Sequence, residues 1–476
     1  MEINDLTPAE RQVWEAFATG TAVDLRDTPE GAVRATVLRA LMLNGPQSEG
    51  EIPGLKVAGA RITGVLDVRY GTVETYVRLS QCHFEEMPQL YGCRFRQLNL
   101  SGSELPGLAA SSVRVEGGAL RLTECRFRRP VNLTGSQISG TLFMDRAEFR
   151  APDDSEDPAL RLNHSSIGED LVATGIRVRG RLVLNSASVA ASVNFNDARL
   201  ENPSGTAIDA QALSANTVHA RNLTALGRVE MRGVHIAGQL NLTRARLSNP
   251  QGTALRASSA VIGELWLRDA EPVEGAVNLR RAQLELLHAA PQILPSEVRL
   301  DGLTYTTLAP HVTAEQRLSV LDRDADGYVP HAYEQLTAAY LRIGDDYAAR
   351  QVQLAKQRRL RATRAWYGRL WGYLQDVTVG YGFRPLRACA WLVSLLAVGS
   401  LVYALHEPPP LKASEHPDFD PVFFTLDLLL PVISFGQEGA FAPEGGYQAL
   451  SYALVITGWI LATTVVTGVT RAVSRQ

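Results

Sequence analysis

Cysteine is scarce, with four residues in a chain of 476. A chain of that length can bury a large core without disulfides, and four cysteines cannot supply a disulfide framework for it. A dominant charge is also missing. Forty-seven basic and fifty acidic side chains leave a net charge of −3. No long basic block occurs in the first three hundred residues, so no nucleic-acid partner is expected. The opening "MEINDLTPAERQVWEAF" has neither a basic nor an apolar leader region, and no secretory signal is expected. Catalytic signatures are absent too: there is no G-x-G-x-x-G after a strand, no C-x-x-C and no paired-histidine metal motif. The sequence therefore assigns no catalytic residue, cofactor or metal, and an enzyme is not expected.

What the chain does contain is a short repeat. From about residue 55 to 305 the pattern apolar-x-apolar-x-x-small-x-apolar recurs, as in "LNLSGSEL" (98–105), "LRLTECRF" (120–127), "VNLTGSQI" (131–138) and "LNLTRARL" (240–247). Many copies start about eleven residues apart, which is a repeat and not a helix period. Alternating apolar positions predict short strands with one buried face. The small residue, as at Ser103, Cys125, Ser136, Ala147 and Ala187, lets the chain turn a corner inward. Two copies make a coil of roughly 22 residues, and such coils bury their apolar faces only by stacking. Insertions at "PDDSEDPA" (152–159), "ENPSGTA" (201–207) and "SNPQGTA" (248–254) are nearly evenly spaced and should stack along one edge. That edge is where a protein partner is expected.

This pattern resembles the degenerate pentapeptide-repeat β-helix family, and the resemblance implies a right-handed β-helix over residues 51–305. Cys82, Cys93 and Cys125 take the small inward position, which suits core packing; a metal or redox triad is the alternative. Residues 1–50 read as a helical N-terminal cap: Thr7, Pro8 and Glu10 form a capping box, and a second helix is expected at about 30–43, with Val33, Val37, Leu38 and Leu41 on one face.

One motif in the following segment, 306–375, invites misreading. Asp322, Asp324, Asp326 and Gly327 match the first positions of a calcium loop, but Tyr333 stands where the closing glutamate belongs and Glu334 comes one residue late. Residues 331–364 predict two helices hinged near Gly344, with Tyr333, Leu336, Tyr340 and Ile343 on one face. This connector resembles that of actinobacterial repeat-containing membrane proteins. "RAWYGRLWGYLQ" then suits an interfacial helix anchored by Trp366, Arg369, Trp371 and, further on, Arg384.

Residues 376–476 form the third part. "ACAWLVSLLAVGSLVYAL" (388–405) and "ALSYALVITGWILATTVVTGV" (449–469) carry no charge and predict two transmembrane helices. Basic residues flank both outer ends, so both termini are expected in the cytoplasm of a multi-pass inner (plasma) membrane protein, with the lipid bilayer as partner. "TVGYG" (378–382) matches a potassium-filter string but has no span before it; it reads as a turn, with Pro385 opening the next helix. The order span, short helix, glycine-containing turn, span resembles the two-span pore module of ion channels. The resemblance implies a re-entrant loop at 421–437 with Asp427, Val432, Ile433, Ser434, Phe435, Gly436 and Gln437 lining it, and a homo-oligomer around the pore. Ser434 stands in place of the first filter glycine. Gly458 and Gly468 read as close-packing positions, with a hinge as the alternative. The expected function is a ligand- or partner-regulated channel, with a membrane-anchored β-helix scaffold second. Such sequences also resemble proteins labelled membrane-associated oxidoreductase, the third alternative.

Overall fold

The computed structural model describes all residues except 1–4, 29–30, 48, 153–156, 364–384, 413–416, 431–432 and 474–476, and only the backbone of 363, 385–388 and 463–473. It contains two compact units, residues 1–343 and 344–476.

The first unit begins with α1 (Pro8–Thr19). Thr7 Oγ1 accepts from the Glu10 amide, and the Glu10 carboxylate accepts from the Thr7 amide, which satisfies two donors that a helix start leaves open. Gly20, in the left-handed region at φ 64°, ends the helix as a residue without Cβ can. The second helix, α2 (Ala35–Asn44), starts later than its apolar pattern suggests. Ala32–Arg34 is instead a strand paired in parallel with Arg61–Thr63, and Val23–Asp24 pairs with Val57–Ala58. The cap thus supplies the first rung of both sheets, and sheet pairing overrides local helix propensity there.

The repeat folds as a right-handed-type parallel β-solenoid of about 11 turns. Its two 16-stranded sheets consist of parallel pairs in which like residues meet. One inward ladder runs Leu98, Leu120, Leu142, Leu171 and on to Leu308. In another, Phe127 stacks on Phe149 with ring centroids 5.0 Å apart. Many strands are only two residues long, as at Leu120–Arg121 and Val131–Asn132. They hold because each pairs with the coil before and the coil after.

The corners follow a rule finer than the small residue alone. The residue just before it takes the left-handed conformation: Gly102, Glu124, Gly135, Arg146 and Ser186 precede Ser103, Cys125, Ser136, Ala147 and Ala187. Several corners carry an Asn two residues ahead of the first turn amide and accepting from it, as Asn99 does from Ser101 and Asn132 from Thr134. Asparagine braces a turn in this way. The corner amides also bond to the next coil, Gly102 N–H to the Thr123 carbonyl at 2.8 Å and Glu124 N–H to Asp145 at 2.8 Å. Backbone polarity is satisfied even where the strands stop.

At the far end α3 (Ala314–Leu321), with its own Thr313–Gln316 capping box, and α4 (Pro330–Arg342) follow the last strand, Thr304–Ala309. Tyr333, Leu336 and Tyr340 are buried as the helical face predicts, but Ile343 is exposed. Gly344, at φ 78°, separates α4 from α5 (Asp346–Thr363).

The second unit holds α5, α6 (Pro385–Leu405), α7 (Pro421–Leu429) and α8 (Gly446–Val473). Tyr403, Phe424, Leu428, Leu429, Phe441 and Leu454 form its core. A Cβ at Gly458 would lie 2.4 Å from the Leu429 carbonyl oxygen, and one at Gly399 2.4 Å from Thr425 Cγ2. Gly458 is therefore a close-packing position between α8 and α7.

The membrane part of the expected fold is corrected. Among the described residues no helix is long and apolar enough to cross a membrane. The described part of α8 is interrupted by Gln448, Ser451, Thr457 and Gly458. The spans at 388–405 and 449–469, the multi-pass inner-membrane placement and the orientation of both termini fall together, because the placement and the orientation both presuppose the spans.

Candidate functional site: the loop edge of the solenoid

Two insertions share the motif N-P-x-G-T-A and the same internal brace. Asn202 Nδ2 donates to the Thr206 carbonyl at 2.9 Å, and Asn249 Nδ2 donates to Thr253 at 2.8 Å. Each lies inside an eleven-residue strand, Arg199–Asp209 and Arg246–Arg256, and the strand Thr224–Glu230 pairs with both. The coil after each insertion makes room with glycine. A Cβ on Gly227 (φ 116°) would sit 2.2 Å from the Asn202 carbonyl oxygen, and one on Gly275 (φ 115°) 2.3 Å from that of Asn249.

Along this edge the register runs Arg150, Arg179, Glu201, Leu226, Ser248, Glu274. The two arginines of this row precede its two glutamates, and Arg199 and Arg246 lie in the neighbouring row farther along. Pro203, Ser204, Pro250 and Gln251 form exposed tips. Ala151, just before the first insertion, and Pro152 and Asp157 within it join Arg179, Arg181 and residues 201–206 around a cleft of about 760 Å³. Arg179 and Arg199 both pair with Glu201, and Arg161 with Asp157.

A second cleft, of about 470 Å³, shares Arg181 and adds Arg161, Asn163, Asn185 and Asp209. It opens on a polar ladder, Arg161, Val183, Asp209, Glu230, Arg256, Asn278, Arg299, one residue per coil. Glu230 is buried, with Arg256 Nη1 3.7 Å from Oε2. Burial pushes its carboxyl up; the charges of Arg256, Arg228 and Arg232 oppose that shift, and Asp209 adds to it. None of these ladder residues stands out in the sequence. They occupy outward places in the alternation, but insertions vary the coil length, so their alignment into one row is visible only in three dimensions.

The expected pore loop lies elsewhere and is built differently. Asp427 is buried in α7, and its carboxylate accepts the amides of Phe435, of Gln437 at 2.8 Å and of Glu438 at 3.2 Å. Gln437 Nε2 donates to the Asp418 carbonyl at 3.0 Å, and Phe435 packs on Phe423. Ile433 is exposed, Ser434 Oγ accepts the Gly436 amide, and Gly436 has φ 82°. Val432, the anchors Trp366, Arg369, Trp371 and Arg384, and the string 378–382 lie outside the described residues. Without a membrane-crossing helix among the described residues, the channel reading, the membrane-anchored scaffold and the membrane-associated oxidoreductase are corrected. The Asp427 loop is a local hydrogen-bonded knot.

Both alternative metal readings meet structural explanations. Asp324 accepts from the amides of Asp326 and Leu300, and Asp326 pairs with Arg280. These aspartates join the end of the solenoid to the segment after α3. The thiols of Cys82, Cys93 and Cys125 are buried and donate to backbone carbonyls of Ser80, Val68 and Leu100. Burial pushes them up to about 11, 11 and 12.

Fold and edge together define a capped, parallel β-solenoid repeat protein whose insertions stack on one side. Beyond that class, no protein family, curated protein or solved structure matches the chain. The repeat β-helix part of the sequence resemblance agrees with the fold; its actinobacterial and pore-module parts find no support in these comparisons.

Proposed function

We propose that the protein is a recognition platform that binds a protein partner along the stacked-loop edge. The observation that carries this reading is the repeated, glycine-accommodated N-P-x-G-T-A loop on one side of the solenoid. Rigid coils present these loops at fixed separation, as solenoids present extended binding surfaces. From Arg150 to Glu274 the edge spans five inter-coil steps, about 24 Å. That length suits an interface of ordinary size, roughly 800 Å² per partner.

The test exchanges residues 202–206 and 249–253 for Gly-Ser turns of equal length and compares quantitative affinity purifications of full-length protein from its own cells. Loss of a stoichiometric partner with retained β circular dichroism supports the reading. An unchanged partner set overturns it, and light scattering on the purified chain distinguishes a second copy from a different protein.

A further inference from the structure

The C-terminal end of the solenoid holds a small cavity, about 180 Å³, between the last strand, the 310–312 turn, α3 and α4. Arg317, Arg342 and His311 line it together with Tyr340, Thr307 and Leu308, and no Asp or Glu is among the lining residues. Arg317 is only 5 % exposed. Its guanidinium donates to the carbonyls of Ala289 at 2.6 Å and Pro310 at 2.7 Å. Two neutral acceptors do not neutralise a full charge, and a buried cation without an anion is costly. Burial correspondingly pushes Arg317 down from its ordinary value. Arg342 adds a second guanidinium, held by the Tyr305 and Thr306 carbonyls at 3.2 and 2.9 Å. Carbonyls hold both Nη atoms of Arg317 and Nη1 of Arg342, and a planar fork with donors to spare fits a carboxylate or phosphate. Apolar walls from Pro310, Val312 and Ala339 suit a short carbon body.

We propose that this cavity binds a small anionic ligand, a carboxylate or phosphate group on a body of a few carbons, through Arg317 and Arg342. The site is separate from the loop edge and independent of the function proposed for it.

Calorimetric titration of the full-length protein with inorganic phosphate, butyrate and neutral butyramide, at millimolar concentration and low salt, tests the assignment. Phosphate or butyrate binds while butyramide does not, and which anion binds more tightly identifies the head group. Arg342→Gln, on the exposed side, weakens binding at least about tenfold, as expected for a hydrogen bond to a charged group. Arg317→Lys, which keeps the charge and loses the fork, does the same if circular dichroism shows it folded. Equal binding of butyramide, no binding of either anion, or unchanged affinity in Arg342→Gln overturns the proposal, whether or not Arg317→Lys folds.

Discussion

Glu10 shows at the level of one side chain how the N-terminal cap is held. It is fully buried, and it accepts from the Thr7 amide and from both the amide and the guanidinium of Arg34. Burial raises its carboxyl, but the bonds from Arg34 and Thr7 and the charge of Arg34 outweigh burial and hold it at about 2, against 4.5 unperturbed. A folded value below the unfolded one means that the contribution is complete above pH 4.5 and is lost as pH falls toward 2. The size is about 3 kcal/mol. Urea denaturation of wild type and Glu10→Gln should differ by that order at pH 7, and the gap should fall to less than half by about pH 3 and close only toward pH 2. The thiols give a second prediction at this scale. Buried and raised, Cys82, Cys93 and Cys125 should resist a thiol reagent in native protein at pH 8, while exposed Cys389 reacts. A count of one reactive thiol native and four in denaturant checks it. The capping box at Thr7 and Glu10 was legible because its spacing is local. The partnership with Arg34, twenty-four residues on, was not, because it depends on how α1 meets the strand before α2.

At the level of elements, glycines divide into those that only permit a backbone angle and those that also yield space. Gly233, at φ 64°, has nothing within 4 Å of the position a Cβ would take, whereas Gly227 would drive a Cβ into the Asn202 carbonyl. Gly233→Ala should therefore cost about 1 kcal/mol for the left-handed angle alone. Gly227→Ala should cost several-fold more and disturb the 202–206 loop, as thermal melts and amide exchange of that loop will show. In the second unit, Asp427→Ala leaves the Phe435, Gln437 and Glu438 amides without their acceptor. A loss of about 2–4 kcal/mol follows, read as an early transition in the melt. The repeat itself was legible because two-residue alternation with a small corner residue leaves few other folds. The strand at Ala32–Arg34 was not, since Val33 fits a helix face and a sheet ladder equally well until Arg61–Thr63 is placed beside it. The membrane reading failed for a related reason. Charge-free length does not by itself make a span, and α6 and α8 pack on α7 with part of their apolar surface, while Trp391, Val393, Leu401, Ile456 and Trp459 are exposed.

For the whole molecule, closure at both ends matters most, because a solenoid with an open end exposes unpaired strand edges. The first unit carries α1 and α2 at its start and α3 and α4 at its finish. Residues 1–343 expressed alone should therefore fold cooperatively, giving a single urea transition with a β-rich circular dichroism spectrum. The proposed function rests on geometry that no single repeat contains, namely two braced loops and an in-register row with charged side chains on one side. The most direct test is site-specific photo-crosslinking within cells, comparing positions Ser204 and Gln251 on the loop tips with Arg114 and Ser188 on the other sheet, all exposed. The account predicts the same discrete protein adduct from Ser204 and Gln251 and none from Arg114 or Ser188. Equal adducts from both sheets, or adducts from the control positions alone, would contradict it.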